Sequence, residues 1–281
     1  MTNTLVIDTS YGSTVGIVGH DPIVETDSRT HVERLQTNIA RAAAEAGLEP
    51  GRIERIVVGV GPAPFTGLRA GVVTAKALAY ATGATLVGTD ILGPQHHMML
   101  LARAADAPAG LAALREQIGC PPEEPDDALH LTLAVNDARR RQLYFALYDT
   151  DADGRPHAVI PMDIDYPDHI AARVADAVAE LQAAAPGRRI AVDVVGHGAR
   201  KYADAWPAIG RLGVVSDLTL LDAGRDGLAA LADLTARRES TDEADAVPAA
   251  AIEPLYLRRP DVSVPRPLKQ VLHHAAADRT A

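Results

Sequence analysis

The order of apolar runs repeats itself along this chain, and that repetition restricts the fold more than any other feature. Short Val-, Ile- and Leu-rich segments bounded by Gly, Asp or Pro alternate with longer helical patterns. The first half reads as strands Leu5–Asp8, Thr14–Val18 and Pro22–Thr26, a helix, strand Arg55–Val60, a helix, and strand Thr85–Gly88. The second half reads as strands Leu131–Val135, Gln142–Tyr148 and Ala158–Ile164, a helix, strand Ile190–Val195, a short helix and a final helix. Three strands followed by alternating helices and strands, twice over, predict an α/β chain of two βββαβα-type halves. The expected divisions are 1–103 for the first half, 104–128 for a connector, 129–216 for the second half, 217–238 for a C-terminal helix packing back on the first, and 239–281 for a linker and basic tail.

The helices have legible ends. Thr30 and Glu33 have capping-box spacing, and Val32, Leu35 and Ile39 then form one stripe as far as Gly47. The next helix is expected over 66–82, with Leu68, Val72, Ala75 and Ala79 on one stripe and Gly83 beyond its end. Gly67, Gly71 and Ala75 lie four apart on it, a spacing that admits another backbone, either of its own sheet or of a partner. Ile170, Val174, Val178 and Leu181 mark a third helix, and Leu228, Leu231 and Leu234 a last one.

Composition narrows the function classes. The chain has 281 residues, 47% of them hydrophobic and 23% charged, as in an ordinary globular protein. Lys plus Arg number 27 against 37 Asp plus Glu, a net charge of −10 that opposes long-range attraction of the whole molecule to nucleic acid or anionic lipid. Cys120 is the single cysteine, no basic signal region precedes the first strand, and every apolar run is interrupted well short of the roughly 20 residues that span a bilayer. A cytoplasmic protein with no membrane role is expected.

The duplicated order resembles the actin, Hsp70 and sugar-kinase (ASKHA, ribonuclease H-like) fold, whose halves clasp a nucleotide. ATP-binding members carry an acidic residue and a Gly-containing turn in the first hairpin of each half. Here Asp8, Thr9 and Ser10 with Gly12 make a weak phosphate loop. The matching NDARRRQ keeps Asp137 but places Ala138, Arg139, Arg140 and Arg141 where backbone would need to approach phosphate. The segment GVGPAPFTGLRAGVVTAKALA, Gly59 to Ala79, is not a Walker loop, because Gly67 is followed by Leu68 and Arg69 rather than Lys and Ser or Thr. It presents Phe65 and Arg69 on a Gly/Pro turn at a helix start.

Taken together, DTS at Asp8–Ser10, the His31-led helix, GPAPFTGLRAG, DARRRQLYFALY at Asp137–Tyr148, VGHGA at Val195–Ala199 and YLRRPDV at Tyr256–Val262 resemble the TsaB (YeaZ) family of bacterial tRNA threonylcarbamoyladenosine biosynthesis. The resemblance runs from residue 3 to about 262. It departs from the family's GPGSFTGLR at Ala63 and Pro64. What it implies is a non-catalytic scaffold that partners a TsaD-type catalytic subunit and a TsaE-type ATPase, meets tRNA indirectly through that complex, and forms a homodimer when its partner is absent. ATP and metal would sit on the partner subunits, with no cofactor and no metal on this chain alone. The HxxGH pattern of the catalytic subunit falls on DILGP, where Asp90 and Pro94 stand in for its histidines. The partner surface is expected on the first two helices, through Val32, Leu35, Ile39, Phe65, Leu68, Arg69 and Val72.

Two further readings stand beside this one. A small-molecule kinase of the same fold would use Asp8 for metal and Asp137 as base. Alternatively, Arg258, Arg259, Arg266 and Lys269 would touch RNA directly, against a tail that is only solvated or strapped across the first half. The sequence assigns no role to the long connector, Arg139 or Tyr144.

Overall fold

The computed structural model describes residues 2–27, 30–120, 128–151, 154–241 and 252–257. Strands β1 (Thr4–Asp8), β2 (Ser13–Ile17), β3 (Ile23–Glu25), β4 (Arg55–Gly61) and β5 (Thr85–Asp90) form one sheet in the order β3-β2-β1-β4-β5. Strands β6 (Leu129–Asp137), β7 (Leu143–Thr150), β8 (Pro156–Asp165), β9 (Ile190–Val195) and β10 (Leu212–Ser216) form the other in the order β10-β9-β6-β7-β8. Read from its third strand, each sheet follows the same path. The first three strands are antiparallel, and the last two add in parallel. This is the duplicated α/β architecture that the sequence order predicts.

Helices cover both faces of the first sheet, which is why its central strands read as continuous apolar runs. On one face, α1 (Leu35–Glu45) and α2 (Phe65–Thr82) bury Leu5, Ile7, Ile56 and Val58. On the other, Val6 and Val57 point into a second core with α3 (Gly93–Arg103), α4 (Ala109–Ile118) and α6 (Arg225–Thr241), and this core also takes in Val195 and Val214 from the second sheet. In the second half, α5 (Pro167–Ala184) packs Ile170 and Val174 onto Leu133, Phe145 and Val194.

Several boundaries differ from the sequence expectation. Helix α1 begins at Leu35, with Arg34 ahead of it making no side-chain cap, so Thr30 and Glu33 lie in the preceding turns. Helix α3 and strand β10 were not expected. The stretch expected as a connector contains α4, whose Leu111, Leu114 and Ile118 are buried in the core between the sheets. Residues 121–127 of that stretch, and the tail from 258 onward, lie outside the described residues. The segment 252–257 lies on the first half, with Ile252 in its core and the Leu255 amide donating to the Val60 carbonyl at 2.7 Å.

The expected partner surface needs a correction. Leu35, Ile39, Leu68 and Val72 are 1%, 8%, 0% and 2% exposed and pack into the first half's own core. A buried stripe has no surface to offer another chain. Val32 is half-buried in the turn before α1, while Phe65 and Arg69 are exposed. The small residues of α2 also face inward: a Cβ on Gly71 would lie 2.2 Å from the Thr9 hydroxyl, and one on Gly67 would lie 2.9 Å from the Thr9 carbonyl. They let α2 settle on the β1–β2 turn.

Candidate functional site

The two hairpin turns that topology places across from one another define the site. In the first, Asp8 leaves β1 with its carboxylate accepting from the Ser10 amide at 3.0 Å and from the Ser10 hydroxyl, so the turn closes on itself. Thr9 and Ser10 are buried, and Gly12 takes φ 70° with the Glu25 carbonyl only 2.4 Å from where a Cβ would sit. Glycine is required there. In the second, Asp137 accepts the Arg139 amide at 2.7 Å and the Lys201 ammonium at 2.8 Å. The three residues that follow Ala138 all adopt left-handed backbone, with φ 64° at Arg139, 52° at Arg140 and 63° at Arg141. Those side chains are exposed.

Between the turns, side chains of the two halves meet directly. Tyr11 from the first turn stacks on His197 of the second half at 3.8 Å between ring centroids. Burial pushes the His197 imidazole below its ordinary pKa, against the opposing pull of Asp222, Asp8, Asp217 and Asp137. The GPAPF turn is held from the other side: Asn136 donates to the Pro62 carbonyl at 3.2 Å, and the Tyr144 hydroxyl donates to the Ala63 carbonyl at 3.4 Å. Ala63 is buried, and Pro64 directly precedes α2. What remains near Asp8, Asn136 and His197 is a cavity of about 30 Å³, enough for water and far below the roughly 300 Å³ at which small-molecule pockets begin.

A larger cavity, about 300 Å³, is shared by the same two turns. Its walls come from the first turn (Thr9 to Gly12), from Thr26 and His31, from the start of α2 (Pro64 to Gly67), and from Asp137 and Arg139. Phe65 stands at its edge with the Arg69 guanidinium 4.8 Å above the ring, and Tyr256 stacks on that ring at 5.1 Å.

A separate polar seam ties α3 to the second sheet. Asp193 on β9 is fully buried and accepts both Arg103 contacts, at 3.0 and 2.8 Å, and the Val214 amide at 2.8 Å. Burial alone would raise its pKa, but His130, Arg103 and the Val214 amide hold it below the usual carboxylate range. His96 bridges the Thr132 and Thr150 hydroxyls at 2.8 and 2.9 Å, and burial lowers its pKa to about 4. A neutral imidazole fits: one ring nitrogen donates to a threonine oxygen and the other accepts from a threonine hydroxyl. Asp90, at the position compared above with a metal-binding histidine, accepts the Leu92 and Gly93 amides at the entry to α3. Among the described residues, no three His, Cys, Asp or Glu side chains converge on a common point. Nor is any helix among them long and apolar enough to cross a membrane.

The structure thus brings Asp8, Thr9, Ser10 and Asp137 to one junction between the halves, with Phe65 and Arg69 at its rim. It leaves Leu35, Ile39, Leu68 and Val72 away from it, in the core. Sequence reading missed the Tyr11–His197 stack, the Asn136 and Tyr144 contacts and the Arg103–Asp193 pair. All join residues far apart in the chain and carry no local pattern.

Two α/β lobes with the same five-stranded sheet order have the architecture of the actin, Hsp70 and sugar-kinase fold class. More particularly, the fold is that of YeaZ from Pseudomonas aeruginosa, matched with a TM-score of 0.59 and 22% identity over 92% of this chain and 100% of that one. The model of the family described as "TsaD: tRNA N6-adenosine threonylcarbamoyltransferase" matches residues 20–114. An uncharacterized protein of Mycobacterium tuberculosis is 38% identical over 151 residues, which cover 51% of this chain and 58% of that protein. The chain therefore spans little more than half the length of the curated relatives it matches first. A tRNA N6-adenosine threonylcarbamoyltransferase of Cereibacter sphaeroides is 43% identical over 70 residues, 25% of this chain and 19% of that enzyme.

Proposed function

We propose that this protein is a TsaB (YeaZ)-type subunit of bacterial tRNA threonylcarbamoyladenosine formation, acting as the non-catalytic partner of a TsaD-type catalytic subunit in the cytoplasm. The observation that carries this reading is the fold, shared with YeaZ over 92% of this chain. The left-handed arginine turn in place of a glycine loop supports the same conclusion and weighs against the kinase reading. ATP and metal then belong to the TsaD- and TsaE-type partners, and this chain contributes shape.

The partner surface is the solvent face of α2. Val73 and Tyr80 are 60% and 94% exposed on the face opposite Leu68 and Val72, and Ala77 lies between them. A second copy of the chain would use the same face when the catalytic subunit is missing.

Mass spectrometry of nucleosides from total tRNA tests the pathway. Depletion of the protein is expected to abolish threonylcarbamoyladenosine, and a wild-type copy to restore it; an unchanged level without a compensating copy would overturn the reading. A Val73→Glu, Tyr80→Glu double variant is expected to melt like wild type, yet to lose co-elution with the catalytic subunit by at least tenfold in apparent affinity. Retained co-elution moves the interface elsewhere.

A further inference from the structure

We propose that the larger cavity and the arginine turn beside it form a binding site for single-stranded RNA, with the turn on the phosphates and one unstacked base against the aromatic rim. The choice of RNA over other polyanions rests on the proposed function; the site itself rests on the geometry. Three consecutive arginines hold left-handed backbone, a conformation that disfavours a side chain by roughly 1–2 kcal/mol per residue. Strain of this kind persists where the surroundings enforce it and gathers at working sites. Here it concentrates three exposed cations on one hairpin tip of a chain whose net charge is −10.

The neighbouring surface suits bases. The chain has ten aromatic residues (2 Phe, 7 Tyr, 1 Trp); two of them, Tyr11 and Phe65, line this cavity, and a third, Tyr256, stacks on Phe65. Tyr11, Phe65 and Tyr256 are 49%, 42% and 41% exposed, and Arg69 adds a guanidinium over Phe65. Exposed ring faces beside arginine are how proteins hold bases that are free of a duplex stack. The carboxylate in the cavity wall, Asp137, is already matched by Lys201 and the Arg139 amide, so it offers a phosphate little repulsion. An acidic peptide would engage the arginines and leave the rings idle. A paired helix would hide the base faces.

The test is fluorescence anisotropy of the full chain with a labelled single-stranded oligoribonucleotide of mixed sequence, titrated from about 50 to 200 mM salt. With three phosphates engaged, log affinity should fall against log salt with a slope of about 2. Arg139→Ala, Arg140→Ala and Arg141→Ala combined should remove most of that slope and at least tenfold of the affinity, whereas lysine at the three positions should keep the slope. Phe65→Ala, which removes the ring that Arg69 and Tyr256 pack on, should weaken binding roughly 5- to 100-fold by unsettling the aromatic rim. Each variant's melting curve separates these effects from unfolding. The proposal fails if no saturable binding occurs, if the alanine variants bind like wild type, or if the duplex of the same sequence binds as tightly. It also fails if ATP or polyglutamate displaces the strand at matched charge concentration. A chain that restores threonylcarbamoyladenosine in cells but shows any of these results keeps the proposed function and loses this site.

Discussion

The two hairpin turns occupy equivalent places in the two sheets and solve the same steric problem in opposite ways. The first uses one glycine, Gly12, where the Glu25 carbonyl leaves no space for a side chain, and it folds its acid back onto Ser10. The second uses no glycine at all and carries three arginines through the same left-handed region, anchored by Asp137 and Lys201. Topology was preserved across the duplication, while the chemistry at the turn was not. The shared topology therefore does not by itself fix the chemistry at its turns.

That contrast depends on a seam that holds the halves in opposition. Arg103→Ala should produce the largest effect, a loss of about 3–5 kcal/mol in urea unfolding, because it takes from buried Asp193 its only guanidinium and leaves it His130 and the Val214 amide. A loss under 1 kcal/mol would mean that this ion pair is not what holds the halves in place. The pH dependence of the same seam comes next. Folded His96 stays neutral down to about pH 4, whereas the unfolded chain takes up that proton near 6.5. The unfolded state binds more protons inside this window, so stability is full above it and falls as pH drops through it. Between pH 7 and 5 the loss should be about 2 kcal/mol, and His96→Gln should flatten it. The smallest effect addresses the turns themselves. Arg141→Gly should stabilise by about 1 kcal/mol by relieving a left-handed side chain, and Gly12→Ala should destabilise by at least as much. If both substitutions shift stability the same way, the two turns are not the counterparts described here.

Much of the fold was legible because its strands are apolar runs with hard stops. Gly83 does end α2, in the left-handed conformation, and the strands fall close to where the runs place them. Helix α3 escaped notice because GPQHHMMLLAR is buried on several sides and shows no stripe; His96, Met98 and Met99 are all inside. The stripes of α1 and α2 were seen correctly but assigned to a partner, since apolar spacing is the same whether a helix packs on its own sheet or on another chain. At the candidate site, Asp8 and Asp137 could be placed by their hairpins. The side chains that join the halves there could not, because Tyr11 and His197 meet only after both halves have folded.

The strap at 252–257 has a consequence for how the molecule is made. The second sheet is complete within one continuous stretch, 129–216, whereas the first half borrows Ile252 and Leu255 from far downstream. On the ribosome, where segments emerge in order, the later half can finish its core while the earlier one still waits for its last contacts. The N-terminal half is thus the first to be translated and the last to be sealed.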